Sequence, residues 1–472
     1  MTGPLVFRGV TVIDMVGARP KSGMTVVISG GRILDVGRTQ RVRFPKDARV
    51  VDARGKFLIP GLWDMHWHLH AERETRHVHF PLMIANGVTG VRDMFTDCMK
   101  NCAVGVNIKV VRKWRRQFAA GRLTAPRLLA SSQILDGVKP TQVWFYPVAD
   151  ARAARRAVRT FKARGCDFIK VYSLLSRAAY FAIADEAKRQ RIPFAGHIPI
   201  DVTASEASRA GQRSIEHLDF ISSFSAREAE LMKELVLEIE RITCTPYFTA
   251  LVYCALDANL VRAADSLDRR KLARVSRIFV RNRTWFCPTL AYHHADAFHD
   301  RKEYARDPRL KYVPRTLQAE WAELKSARVS MPQRMAEMKR IFPTHLKIIG
   351  AMHRAGVKLL AGTDATQIHV VPGFSLHDEL ALLAEAGLTP LEALQAATIA
   401  PARFMEREKD LGTIEAGKLA DLVLLEANPL DDIRHTRRIA AVVSDGRYFS
   451  KGALKGLLAS ASRSARKRKR LK

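Results

Sequence analysis

The stretch Pro60-Gly61-Leu62-Trp63-Asp64-Met65-His66-Trp67-His68-Leu69-His70 decides how this chain is read. A Pro-Gly start leads into a short run with histidine at every second position. On a strand, successive side chains point to opposite faces, so His66 and His68 project together. Neutral imidazoles are common ligands of zinc and similar metals. An HxH pair alone is weak evidence, because a hydrogen-bonded core also accommodates histidine. His77-Val78-His79 repeats the spacing in a charged stretch with no strand signature before it, and reads as surface. His70 shares the face of His66 and His68, and reads as a supporting or packing residue rather than a third ligand.

Outward from that motif, from Ile59 to about Ala400, short apolar runs alternate with amphipathic helices, as in βα units around a parallel sheet. The strands are expected to end near His68, Asp93, Ser131, Lys170, His197, His217, Pro288 and Asp364. Eight such units make an α/β fold of the (β/α)8 TIM-barrel type, with His66 and His68 at its C-terminal mouth. Helices are expected over Ala178–Arg189 and Ala204–Ala210. Stretches 222–283 and 291–342 exceed a minimal barrel and are rich in helix formers and charge. At strand ends such insertions become lids over the mouth, or they are helical padding.

Both ends of the chain read as β. Leu5–Ile13, Met24–Ser29 and Arg32–Val36 are strand candidates, and Gly30-Gly31 suits a turn with positive φ at both positions. Leu422–Leu425 and Ala440–Val443 read as strands again, with Asp445-Gly446 as a second hairpin signal. Thr389-Pro390-Leu391-Glu392 starts a helix, with Thr as the cap and Glu at the capping-box position. The expected organisation is a small β-sandwich domain built from residues 1–58 and 401–450, flanking a metal-binding barrel over 59–400. The Ser-, Ala- and Arg-rich tail, 451–472, is expected to be disordered.

Further candidates stand at other strand ends. His197 ends Pro193-Phe194-Ala195-Gly196-His197, His217 ends Ser214-Ile215-Glu216-His217, and Asp364 ends Leu359-Leu360-Ala361-Gly362-Thr363-Asp364. Each alone could be a bonded core residue. Four strands bringing nitrogen and oxygen ligands to one face is much harder to obtain by chance. Lys170 lies in the otherwise apolar Phe168-Ile169-Lys170-Val171-Tyr172. Burial disfavours a charged amine, and a neutral amine can take up carbon dioxide as a carbamate, a carboxylate-like bridge for two metals. Alternatively it snorkels to the mouth or pairs with an acid.

With these residues in hand, the sequence resembles the amidohydrolase superfamily, within it the imidazolonepropionase-like and metal-dependent dipeptidase (prolidase-like) group. The resemblance runs from about Leu5 to Gly446. It rests on the motif at 60–68, Phe168-Ile169-Lys170, Gly196-His197, Ile215-Glu216-His217, Pro288-Thr289-Leu290, Ala361-Gly362-Thr363-Asp364-Ala365 and Leu411–Leu422. It implies two divalent metal ions, with zinc favoured by the histidine-rich set. His66, His68 and Asp364 would hold one and His197 and His217 the other, with carbamylated Lys170 bridging them. It further implies hydrolysis by a hydroxide between the metals, with Asp364 as general base and then general acid. Asp64 would orient a ligand histidine. The substrate class implied is an amide or other C–N bond in an N-acyl amino acid, dipeptide or cyclic amide. A lactone or phosphotriester on the same site is the alternative. Where relatives often carry a histidine-containing loop after the third strand, Ser132–Thr141 has none, which leaves dipeptide recognition without that contact.

Composition sets the remaining bounds. The 472 residues are 47% hydrophobic and 26% charged, ordinary for a globular chain. The charge is not ordinary: 78 Lys plus Arg against 47 acids gives a net of +31. Arg463, Arg466, Lys467, Arg468, Lys469, Arg470 and Lys472 hold only a minority of that excess. An Arg-rich solvated surface explains it, as would a non-catalytic scaffold for an anionic partner. No usual nucleic-acid motif is present, so no specific nucleic acid is expected. Six scattered cysteines form no disulfide framework, and reduced thiols are expected. No secretory leader or membrane-span pattern is read, so the expected location is cytoplasmic. The expected partner is a small-molecule substrate, with homo-oligomerisation open.

Overall fold

The computed structural model describes residues 3–17, 19–99, 105–242, 248–329 and 331–466. The chain ends meet in one eight-stranded sheet. Its strand order is Arg447–Ser450, Ile439–Ser444, Leu422–Leu425, Phe57–Pro60, Leu5–Val12, Lys21–Ser29 and Arg32–Arg38, with Arg49–Asp52 joined beside Leu5–Val12. The sheet forks along that strand: Leu5–Arg8 pair with Arg49–Asp52, and Thr11–Val12 pair with Phe57–Leu58. Two branches leave one edge, so all eight strands stay in one ladder rather than forming two separate sheets. Phe7, Val26, Leu58, Leu422 and Leu424 share its core. Both hairpin turns have the expected backbone: φ is +57° and +80° at Gly30 and Gly31, and +51° and +73° at Asp445 and Gly446.

Between these ends lie parallel strands. Leu62–Trp67, Val88–Asp93 and Arg127–Ala130 form one sheet. Leu135–Asp136, Ile169–Val171, Phe194–Gly196, Ser214–Glu216 and Trp285–Cys287 form another, edged by Tyr146–Pro147. A bridge between Ser131 and Phe168 links the two sheets. Segment 359–365, the expected last strand, makes only single bridges, Leu359 to Phe286 and Ala365 to Trp67. Its amides bond to both neighbouring strands, Leu360 to Phe286 O and Thr363 and Asp364 to His66 O, while the Ala361 amide turns away to Ala396 O.

Several helices start at a capping side chain. Ser176 caps Arg177–Arg189, and Thr203 with Glu206 forms a capping box at Ala204–Arg209. Thr389 and Glu392 do the same at Pro390–Ala396. The two long insertions are helical: Glu228–Ile242, Phe248–Asp265 and Arg269–Asn282 in the first, and Leu290–Phe298 through Pro332–Arg354 in the second. The expected disordered tail is corrected over 451–466. Lys451–Arg466 is a helix whose Leu454, Ala461 and Ala465 are buried, because these small and apolar residues recur on one face. Residues 467–472 lie outside the described residues. No described helix is long and apolar enough to cross a membrane.

Two smaller expectations are also corrected. Cys98 is disulfide-bonded, while Cys166, Cys254 and Cys287 are free; Cys102 and Cys244 lie outside the described residues. His79 is buried at 1% exposure, not on the surface, because Thr75–His79 is a helical turn that carries its ring against Trp67 and His70.

Candidate metal centre

The six sequence candidates converge at the carboxyl ends of the parallel strands. His66 is buried, and its Nε2 stands 3.5 Å from Asp364 Oδ1. His68 Nε2 stands 2.9 Å from the same oxygen. His66 Nε2 and Asp364 Oδ1 are nevertheless buried without a hydrogen bond. One ligand atom from each of His66, His68 and Asp364 falls within 4.8 Å of the others. The His66 and His217 ring centroids are 4.5 Å apart, and those of His217 and His197 are 4.7 Å apart. Lys170 is 1% exposed and its Nζ has no hydrogen-bond partner. A buried amine without a hydrogen bond is costly, so the Lys170 amine asks for a further ligand.

Backbone strain and glycine shape the site. His217, Asp364 and Thr289 all carry positive φ, +59°, +59° and +51°. Non-glycine residues held in that region cluster at functional sites. Gly362 lets the last segment press against the first strand: a Cβ there would sit 2.5 Å from Cys287 Sγ and 2.7 Å from the His66 amide. At Gly196 a Cβ would sit 2.2 Å from Val171 O, so only glycine admits His197 at this spot beside Lys170.

A second layer fixes the ring orientations. His66 Nδ1 is 2.9 Å from Glu216 Oε2, so its Nε2 is left facing the centre. Glu216 is itself gripped by the Arg92 guanidinium, which donates to both its oxygens at 2.8 and 2.7 Å. Arg92 also donates to Ser214 Oγ and Met65 O, and both Arg92 and Glu216 are buried. His197 Nδ1 lies 3.1 Å from both Ser173 Oγ and Asp219 Oδ2, and His217 Nδ1 lies 2.7 Å from Thr289 Oγ1. Asp64, expected to orient a histidine ring, takes the His66 backbone amide instead, together with the Thr363 amide and hydroxyl. His70 meets Thr366 Oγ1, consistent with a supporting role.

Electrostatics favours uncharged imidazoles. Burial, helped by the charge of Lys170, holds His66 and His197 below the ordinary histidine value. Burial and the neighbouring His66 do the same to His217. Burial also lowers Lys170 to about 8, against the opposing pull of Glu216 and Asp364. Asp64 is pushed up to about 7 by burial, against the hydrogen bonds from Thr363 and the His66 amide. Unprotonated nitrogens, carboxylate oxygens and a buried amine make a donor set that fits divalent metal ions.

Glu216, Arg92, Asp219, Ser173 and Thr289 were not singled out from sequence. Glu216 had a signal: an acid beside His217 in an apolar strand needs a buried partner. The strand Val88–Asp93 carries that partner, Arg92. Both insertions reach this end: Tyr253 OH is 3.3 Å from Tyr172 OH, and Tyr292 and His293 lie 6.1 and 6.2 Å from the His217 ring.

The amidohydrolase family pattern matches residues 57–449, and the chain belongs to that family. That family generally uses divalent metals. It is 37% identical to ochratoxinase of Aspergillus niger over 119 residues, 24% of each chain. It is 35% identical over 121 residues to dihydroorotase of Anaeromyxobacter sp. (strain K), 24% of this chain and 26% of that one. The chain thus spans about a quarter of the length of the curated relatives it matches. Similar solved structures include bottromycin amidohydrolase, with a TM-score of 0.71 at 22% identity over 98% of this chain and 90% of that one. A Xaa-Pro dipeptidase has a TM-score of 0.66 at 20% identity, over 95% of this chain and 100% of that one. At such identities the likeness is one of fold.

Proposed function

We propose that this chain hydrolyses an amide or other carbon–nitrogen bond of a small molecule at the site of His66, His68, Lys170, His197, His217 and Asp364. One observation carries the reading: ligand-type atoms of His66, Lys170 and Asp364 are buried without a hydrogen bond where these six residues meet. The seven parallel strands that end at Trp67, Asp93, Ala130, Val171, Gly196, Glu216 and Cys287, with segment 359–365, are read as the eight staves of a (β/α)8 barrel, which puts all six at its mouth. His66, His68 and Asp364 would hold one divalent ion, His197 and His217 a second, and Lys170, as its carbamate, would join both. Zinc suits this donor set. When bound, such ions supply Lewis acidity toward a carbonyl and lower the pKa of water.

The protein's own residues do the rest. Glu216, Thr289, Ser173 and Asp219 set the histidine tautomers by engaging Nδ1. Asp364 takes a proton from the attacking water and returns it to the leaving nitrogen, so the amine departs neutral. Forming the Lys170 carbamate joins its nitrogen to the carbon of carbon dioxide and releases one proton. The relatives ochratoxinase and dihydroorotase are named for different substrates, which favours a bond class over one particular substrate.

The test is elemental analysis of wild type beside Lys170→Ala, with turnover of N-acyl amino acids, dipeptides, cyclic amides, lactones and a phosphotriester. The expected result is about two metals per wild-type chain, amide turnover, and loss of both in the variant. Wild type that takes up no metal and cleaves nothing overturns the reading. Turnover of a lactone or phosphotriester alone would replace the bond class and keep the centre.

A further inference from the structure

We infer that the chain has a second small-molecule site at the opposite end of the parallel strands, which takes an apolar carboxylate. A cavity of about 860 Å³ lies there. Its lining residues precede or begin the strands: Arg127 starts Arg127–Ala130, Phe168 precedes Ile169–Val171, Pro193 precedes Phe194–Gly196, and Arg213 precedes Ser214–Glu216. His197, His217 and Asp364 stand at the other ends, so this cavity is separate from the candidate metal centre. The volume is in the range that small-molecule sites occupy, roughly 300–1,000 Å³.

Its walls and rim define the ligand. Trp63, Phe118, Phe168 and Phe404 give it aromatic walls. Arg115, Arg127, Lys188, Arg191, Arg213 and Arg407 give it a cationic rim, against two carboxylates, Asp167 and Glu406. Those carboxylates are already matched, Asp167 to Arg115 and Glu406 to Arg213. Arg127 is held by Asp421 and Asp445, and Arg407 by Asp410. Lys188 and Arg191 remain: both are exposed and, among the described residues, neither pairs with a carboxylate. Two cations beside an aromatic cleft complement a molecule with one carboxylate and an aromatic or alkyl body. Arg92 is not a competing anchor. It lies behind the wall, 5.0 Å from the Phe404 ring and 5.8 Å from Phe168, with its donors taken by Glu216, Ser214 and Met65.

The experiment is calorimetric titration of the metal-loaded full chain with 4-phenylbutyrate and, in parallel, its uncharged amide. Saturable binding of the carboxylate is expected, with the amide weaker by about tenfold, as for loss of a charge-assisted contact. The Lys188→Glu/Arg191→Glu chain should lose binding by a similar factor while keeping its melting temperature. Metal removal with a chelator should leave binding in place. Binding that disappears with the metal and survives the double substitution would put the probe at the metal centre and overturn the proposal. Absence of saturable binding, or equal affinity for acid and amide, would overturn it too. The amide is titrated into the metal-free chain as well, where the candidate metal centre cannot cleave it, so failure here is distinct from failure of the hydrolase reading.

Discussion

At the scale of single residues, the Arg92–Glu216–His66 relay is where the centre depends most on groups that touch no substrate. Glu216 is buried and held by Arg92 on one side and His66 Nδ1 on the other. Arg92→Met leaves a buried carboxylate without its cation, which should cost about 3–5 kcal/mol by urea denaturation. Glu216→Gln keeps the shape but removes the anionic acceptor behind His66, so metal affinity by chelator competition should fall about 10–100-fold. The double variant should cost less than the two singles added, because both break one network. Additive losses would show that the two residues act independently. The histidines, Lys170 and Asp364 were legible in the sequence because their spacing and strand-end positions state the chemistry directly. The relay was not: Arg92 and Glu216 lie 124 positions apart, on strands of two different sheets, and only the tertiary packing of those sheets brings them together. Asp64 shows the converse, since its neighbourhood to His66 was legible but its choice of backbone over ring was not.

At the scale of elements, hairpins and capped helices followed from local chemistry, as at Gly30-Gly31, Thr203–Glu206 and Thr389–Glu392. Elements decided by distant contacts did not. Segment 359–365 has the composition of a strand and bonds to both neighbours at Phe286 O and His66 O, but its Ala361 amide leaves them for Ala396 O, and the pairing is reduced to single bridges. The C-terminal helix Lys451–Arg466 has the polar, basic composition of a disordered tail, and it is ordered by a face that finds a partner. Ala461 and Ala465 are buried in one cluster with Val78, Leu82 and Tyr312, and Ser462 Oγ donates to Lys311 O. Alanine permits close approach there, so a carboxylate has neither room nor a partner. Ala461→Asp should undock the helix, seen as rapid tryptic trimming at Lys455 and Arg463 with the rest of the chain intact. Ser460→Asp, on the exposed side, should be trimmed like wild type. Equal resistance of both variants would mean that the cluster does not hold the helix.

At the scale of the whole molecule, one buried acid should tilt the stability of the fold against pH. Glu379 is fully buried on the helix Phe374–Glu385, and its Oε2 accepts the Ala291 amide at 2.7 Å while Oε1 has no partner. That contact ties the helix following segment 359–365 to the helix that follows Thr289. Burial pushes the Glu379 carboxyl from 4.5 to about 8, although the Ala291 and Leu290 amides pull it down. The sign follows from which state ionises first. Below about pH 4.5 the group is protonated folded and unfolded, and contributes nothing. Between 4.5 and about 8 the unfolded chain loses the proton while the folded chain keeps it, so stability falls as pH rises. Above about 8 both are ionised and the penalty stays constant. Glu379→Gln retains an oxygen for the Ala291 amide and removes the titration. The difference in unfolding free energy, variant minus wild type, should therefore rise from about pH 5 to about pH 8 and then level off. Taking the difference cancels the metal centre's own pH dependence, which both chains share. A flat difference across that window would show that the folded chain does not hold the Glu379 carboxyl above its unfolded value, so that the carboxylate rather than the neutral acid joins the two helices.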